Sequence, residues 1–142
     1  MGLDEHADLG TFFLRLGLGG YMIWVGGSLL WNPLLQNTLS GVLSKTPLVA
    51  PGIANQAVMI YLTLHILLGA LIVLGLFTRA AGLITALLSV LTMSILNWYL
   101  TPPLVGALGL LTMAKDVVLL AGGVSLFFTG ARMLGVDCVM ME

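Results

Sequence analysis

Charge is what this chain has least of. Lys, Arg, Asp and Glu together make up 8% of its 142 residues, against about a quarter in a soluble domain. Several of those few charges sit near the ends, as Asp4, Glu5, Asp8, Asp137 and Glu142 do. A water-facing surface cannot be built from them. Cysteine is almost missing: Cys138 alone forms neither an internal disulfide nor a Cys-x-x-Cys redox pair. The two histidines, His6 and His65, lie too far apart in the chain to face each other across a haem. With a net charge of -1 and no basic run, nothing points to nucleic acid or to a clamp on anionic lipid. No period-two alternation of apolar and polar residues appears, and a membrane barrel requires that pattern. The start, "MGLDEHADLG", is acidic where a signal peptide is basic, and no small-residue cleavage site follows. Gly2 is followed at position 6 by His6, where a myristoylation signal has Ser or Thr.

What the chain does have is apolar length. Hydrophobic residues make up 59% of it and the mean hydropathy is +1.11, so its main solvent is lipid. A helix needs about 20 mainly apolar residues to cross the hydrocarbon, and four stretches meet that length. They are residues 11–31, 56–76, 82–100 and 104–128. The expected fold is an all-α integral membrane protein, an antiparallel bundle of four transmembrane helices over residues 11–128. Residues 1–10 are expected to form a short cytoplasmic tail and residues 129–142 a C-terminal tail. "FTRAAG", residues 77–82, reads as a tight turn. "TPP", residues 101–103, stops the third helix, because proline disfavours helical geometry in the residue before it.

The link between the first two spans, residues 32–55, is longer and carries Pro33, Pro47 and Pro51. Within it Leu34, Leu35, Leu39, Val42 and Leu43 fall near one helical face, with Gln36, Asn37, Ser40 and Ser44 largely elsewhere. Two readings stand: a short helix lying in the membrane interface, or an irregular loop over the bundle mouth. Four crossings put both termini on one side, with Arg15, Arg79 and Arg132 against Lys45 on the other. The positive-inside rule makes that side cytoplasmic, and Trp31, Trp98 and Tyr99 then form an outer aromatic belt.

Gly19 and Gly26, like Gly20 and Gly27, are seven residues apart and make a smooth stripe along the first span. Such stripes let helices approach closely in lipid. "GLGG" follows no strand, so it is read as a packing surface, not a phosphate cradle. The polar residues inside the spans carry more information. A charge at mid-membrane costs about 2.5–3.5 kcal/mol on insertion scales and normally faces a partner or a wet cavity. His65, Lys115 and Asp116 all fall near the midplane, and Arg15 lies nearer the cytoplasmic side. Adjacent helical residues point about 100° apart, so Lys115 and Asp116 address different neighbours. Asp116 turned inward would meet His65 or Arg15, while Lys115 would snorkel or find an acceptor in another subunit. The cluster reads either as a site that binds a quinone headgroup or relays protons, or as a polar latch that fixes helix register. Met22, Met59, Met93 and Met113 read as core filler instead of metal ligands. No Ser/His/Asp arrangement has supporting local context, and no metal site is expected.

In this order of features the chain resembles the DoxX family of small four-helix prokaryotic membrane proteins, over roughly residues 9–137. The resemblance rests on "LRLGLGG" with Arg15, on "GALIVLGLFTRAAG" closing the second span, on the charged position at Lys115 and Asp116, and on the tail "GARMLGVD" with Arg132. Gly69, Gly75, Thr78, Arg79 and Gly82 stand at family-like positions. One departure is that "HILLG" places His65 four residues before Gly69, where family members often carry an acid.

The resemblance implies a multi-pass subunit of the prokaryotic plasma membrane linked to quinone redox chemistry. The first reading is an accessory or anchoring subunit of a larger respiratory or quinone-linked oxidoreductase. The second is the quinone-reducing subunit of a thiosulfate:quinone oxidoreductase, with Arg15, His65, Lys115 and Asp116 lining the site. The third is a small oligomeric transporter. The chain shows no flavin, haem or iron–sulfur ligands of its own, so its expected companions are lipid, quinone and other membrane subunits, further copies of itself among them.

Overall fold

Lipid offers a backbone no hydrogen-bonding partner, so an apolar chain of this length satisfies its amides internally by forming helices. The computed structural model describes residues 3–47, 49–99 and 107–130, and every regular element among them is helical. These are α1 (Leu3–Leu30), α2 (Pro33–Leu43), α3 (Ala54–Leu74), α4 (Thr78–Tyr99) and α5 (Ala107–Thr129), with a single 3-10 turn, Pro51–Ile53, leading into α3. Three segments are long and apolar enough to cross a membrane: Leu9–Leu30, Ala54–Leu74 and Thr78–Ile95. The chain is therefore a multi-pass helical membrane protein. Arg132 and Cys138, the tail beyond residue 130, and residues 100–106 with the expected "TPP" stop lie outside the described residues, as do the side chains of His6, Trp98, Tyr99 and Met113.

Several boundaries differ from the sequence expectation, each for a local reason. Residues 3–10, expected as a short tail, continue α1, and Gly10 does not interrupt the helix. The link after α3 is tighter than "FTRAAG" suggested, because the helix closes on Gly75 in the left-handed region, at φ 70°. The amide of Gly75 donates to Ile72 O at 3.1 Å and that of Leu76 to Leu71 O at 2.9 Å. This is the Schellman arrangement, which satisfies the last carbonyls and favours glycine. Phe77, at φ 48°, completes the reversal, and α4 starts at Thr78, so the remainder of the motif is already helix.

Of the two readings for residues 32–55, the helical one holds over Pro33–Leu43. Asn32 caps it, its Oδ1 accepting from the Leu35 amide at 3.4 Å, and Pro33 fills the first position, where no amide is needed. The Gln36 amide group donates to the carbonyls of Leu29 and Leu30, so α2 also closes the end of α1. No residue of α2 is buried.

The long helices associate as two pairs, α1 with α3 and α4 with α5, each crossing at glycine. A Cβ at Gly19 would lie 2.6 Å from Gly69 O, and one at Gly69 would lie 2.6 Å from Gly19 O. The second pair repeats this, with Gly82 against Gly123 O at 2.7 Å and Gly123 against Gly82 O at 2.6 Å. Of the stripe in the first span, Gly19 and Gly26 pack on α3, whereas a Cβ at Gly17, Gly20 or Gly27 would meet nothing within 4 Å. Leu18, Met22, Leu68, Ile72, Ala81, Leu119 and Leu126 fill the space where the two pairs meet.

Candidate functional site

Helix periodicity decides which polar side chains enter this core. On α5, Asp116 shares its face with Leu119 and Gly123, three and seven residues on, and all three are buried. Asp116 is 1% exposed, while Lys115, turned about 100° away, keeps 22% of its side chain exposed. The pair nevertheless meets. The Lys115 stem folds back so that Nζ donates to Asp116 Oδ1 at 2.8 Å. The geometry thus differs from two charges addressing separate neighbours: each is the other's partner. Asp116 Oδ2 is buried and has no hydrogen-bond partner among the described residues.

His65 enters from α3 and is 3% exposed. Its Nδ1 lies 3.2 Å from the carbonyl oxygen of Tyr61, one turn earlier. A carbonyl can only accept, so Nδ1 carries the hydrogen and the neutral ring keeps its lone pair on Nε2. The Tyr61 ring packs on the imidazole with centroids 4.4 Å apart, and Tyr61 also interacts with the Thr92 hydroxyl of α4. Tyr21 of α1 and Tyr61 and His65 of α3 stand within electrostatic reach of Asp116.

Arg15 stands at another level of α1 than the one His65 meets. A Cβ at Gly26 would sit 3.3 Å from His65 Cβ, which sets the level of the histidine on α1. Arg15 lies eleven residues before Gly26, about 16 Å away along a helix axis. It is 1% exposed, with its guanidinium 5.9 Å from the Phe12 ring centroid, a cation–π distance. Arg79 is elsewhere again. Its Nε would stand 3.1 Å from a Cβ at Gly130, against the C-terminus of α5, where a positive charge complements the helix dipole. Gly69, Gly75 and Gly82 serve the crossings and the turn, and Thr78 is buried at the start of α4.

The sequence reading missed Tyr21, Tyr61, Thr85 and Ser89. A positional signal existed for Tyr61, four residues before His65 and so on the same helical face. Thr85 and Ser89 are likewise one turn apart and both buried. Their hydroxyls donate to their own helix, Thr85 to Ala81 O at 2.8 Å and Ser89 to Thr85 O at 2.9 Å. Such back-bonding is how isolated hydroxyls are accommodated in apolar surroundings.

Among the described residues no three His, Cys, Asp or Glu side chains gather as metal ligands. An apolar groove of about 510 Å³ opens along the seam of α1 and α5, where Phe13, Gly17 and Tyr21 face Val118, Gly122 and Ser125. The chain matches no family model, no curated protein and no solved structure.

Proposed function

We propose that the protein is an accessory or anchoring subunit of a quinone-linked oxidoreductase complex in a prokaryotic plasma membrane. In this reading α5 is a fourth span beside α1, α3 and α4, both termini are cytoplasmic, and α2 lies along the outer membrane interface. The observation that carries it is the ion pair that Lys115 and Asp116 make with each other at 2.8 Å, inside helices whose outward faces are apolar. Such a pair fits a scaffold that assembles with redox partners better than it fits an enzyme with an open site. The tie to quinone rests on the resemblance to the DoxX family, and the lipid-facing seam of α1 and α5 is the place where a quinone would lie.

Extraction in a mild detergent, followed by mass spectrometry and quinone analysis of the purified material, tests this directly. The expected result is a stoichiometric set of membrane subunits, at least one with a redox cofactor. A chain that runs alone, without companions or quinone, overturns the reading.

A further inference from the structure

We infer that the bundle is two helix pairs of one design, which rock against each other about residues 75–77 and so set the width of the α1–α5 seam. The two glycine crossings match beyond the glycines themselves. In α1–α3, a Cβ at Gly19 would stand 2.6 Å from Gly69 O and 3.1 Å from the amide nitrogen of Val73, four residues on. In α4–α5, a Cβ at Gly82 would stand 2.7 Å from Gly123 O and 3.0 Å from the amide nitrogen of Phe127, again four residues on. From the partner helices the match repeats: Gly69 faces Gly19 O and Ile23 N, and Gly123 faces Gly82 O and Ala86 N. The second helix of each pair also ends at a left-handed glycine, Gly75 at φ 70° and Gly130 at φ 69°. One contact pattern is used twice, with α4 in the place of α1 and α5 in the place of α3.

Inside a pair the touching atoms are backbone, held at the closest approach that small residues permit. From one pair to the other the contacts are sparser and run through side chains. The three atoms nearest a Cβ at Gly122 of α5 all belong to the Leu18 side chain of α1, the first at 2.8 Å. Leu18, Met22, Leu68 and Ile72 of the first pair meet Ala81, Leu119 and Leu126 of the second. The polar bonds of this core run within single helices: His65 to Tyr61 O in α3, Thr85 to Ala81 O and Ser89 to Thr85 O in α4, Lys115 to Asp116 in α5. Relative movement of the pairs breaks none of them. Across the boundary the Thr85 hydroxyl reaches Met22 Sδ at 3.8 Å, a bond to a weak acceptor, and Tyr61 meets Thr92.

Chain order makes residues 75–77 the covalent connection between the pairs. Hinges are commonly a few residues at the ends of elements. This one joins α3 to α4, and the α1–α5 seam lies across the bundle from it, so rocking about the link opens and closes that seam. The apolar groove of about 510 Å³ lies there, between Gly17 and Tyr21 on one side and Val118 and Gly122 on the other. Its width therefore changes while both glycine crossings stay closed. The movement belongs to the chain's own helices, so this inference stands whether or not the quinone reading does.

Distances between paired spin labels in lipid nanodiscs test it, measured by pulsed electron paramagnetic resonance. Cys138→Ser leaves the introduced cysteines as the labelled ones, and dilution with unlabelled protein restricts the signal to single chains. Ser28, Ile60, Val90 and Val117 stand exposed on α1, α3, α4 and α5. Ser28→Cys/Ile60→Cys and Val90→Cys/Val117→Cys read the distances inside each pair, and Ser28→Cys/Val117→Cys reads across the seam with the same label sites. The seam distribution is expected to be broader than both others, or split in two. A seam distribution as narrow as the two inside the pairs overturns the inference. If that variant does not fold, Ile60→Cys/Val90→Cys reads from pair to pair instead, and equal narrowness there is equally fatal.

Discussion

Lys115 Nζ sits 2.8 Å from Oδ1 of the residue that follows it, Asp116, although the two side chains leave the helix about 100° apart. Adjacent residues rarely face each other on a helix. This pair meets because a long lysine stem bends round to a carboxylate that is fixed by its buried face. The ion pair is thereby local to α5 and travels with that helix whatever its neighbours do.

Removing one member should therefore cost more than removing both. Lys115→Met is expected to lower stability by about 3–5 kcal/mol, the usual penalty for stranding a buried charge. Lys115→Met/Asp116→Asn should recover most of that loss. Thermal unfolding in detergent, followed by circular dichroism, reads the difference, and a double variant no better than the single would contradict it.

The glycines divide into two classes that substitution separates. Gly69→Ala places a Cβ 2.6 Å from Gly19 O, and forcing the helices apart should cost about 1–3 kcal/mol. Gly20→Ala, with nothing within 4 Å, is expected to be neutral or to stabilise by up to about 1 kcal/mol through helix propensity. Equal effects at the two positions would refute the α1–α3 crossing.

At the end of α3, Gly75→Ala keeps the chain length but puts a Cβ on a residue at φ 70°. A cost of about 1–2 kcal/mol follows from the left-handed conformation alone. Gly75→Asn should lose less, since asparagine tolerates that region. Denaturant or thermal melts of the two variants rank them, and the opposite order would count against the cap.

Two exposed tryptophans on α1 report depth. Trp24 and Trp31 are both exposed to the outside of the bundle, and seven helical residues separate them by about 10 Å. In proteins that keep only one tryptophan, lipids brominated deep in the acyl chain should quench Trp24 more strongly. Lipids brominated near the headgroup should quench Trp31 more strongly. Equal quenching by both lipid types would mean that α1 lies in the interface and does not span.

Much of the fold was legible because lipid imposes a coarse rule that composition obeys. Long apolar runs became helices, α3 closing on Gly75, and the leucine face of residues 34–43 became α2. What was not legible depended on pairing. Gly19 and Gly20 are indistinguishable in sequence, yet only Gly19 meets α3, since the choice turns on helix rotation. Arg15 and His65 are both polar and in spans, but Arg15 stands about three turns of α1 from the level that His65 meets at Gly26. Tyr61 escaped notice because a tyrosine in an apolar helix carries no charge to mark it. Its role comes from standing one turn before His65.

The order of the two glycine crossings along the chain has a consequence for biosynthesis. Gly19 and Gly69 are fifty residues apart in sequence, with α2 between them. At about 5–20 residues per second, the ribosome needs several seconds to deliver the second glycine after the first. Throughout that interval the nascent α1 carries Arg15 and an open glycine face into the membrane before α3 exists to receive them. Either the insertion machinery shelters the helix for that time, or α1 waits at the interface and enters the bilayer together with α3.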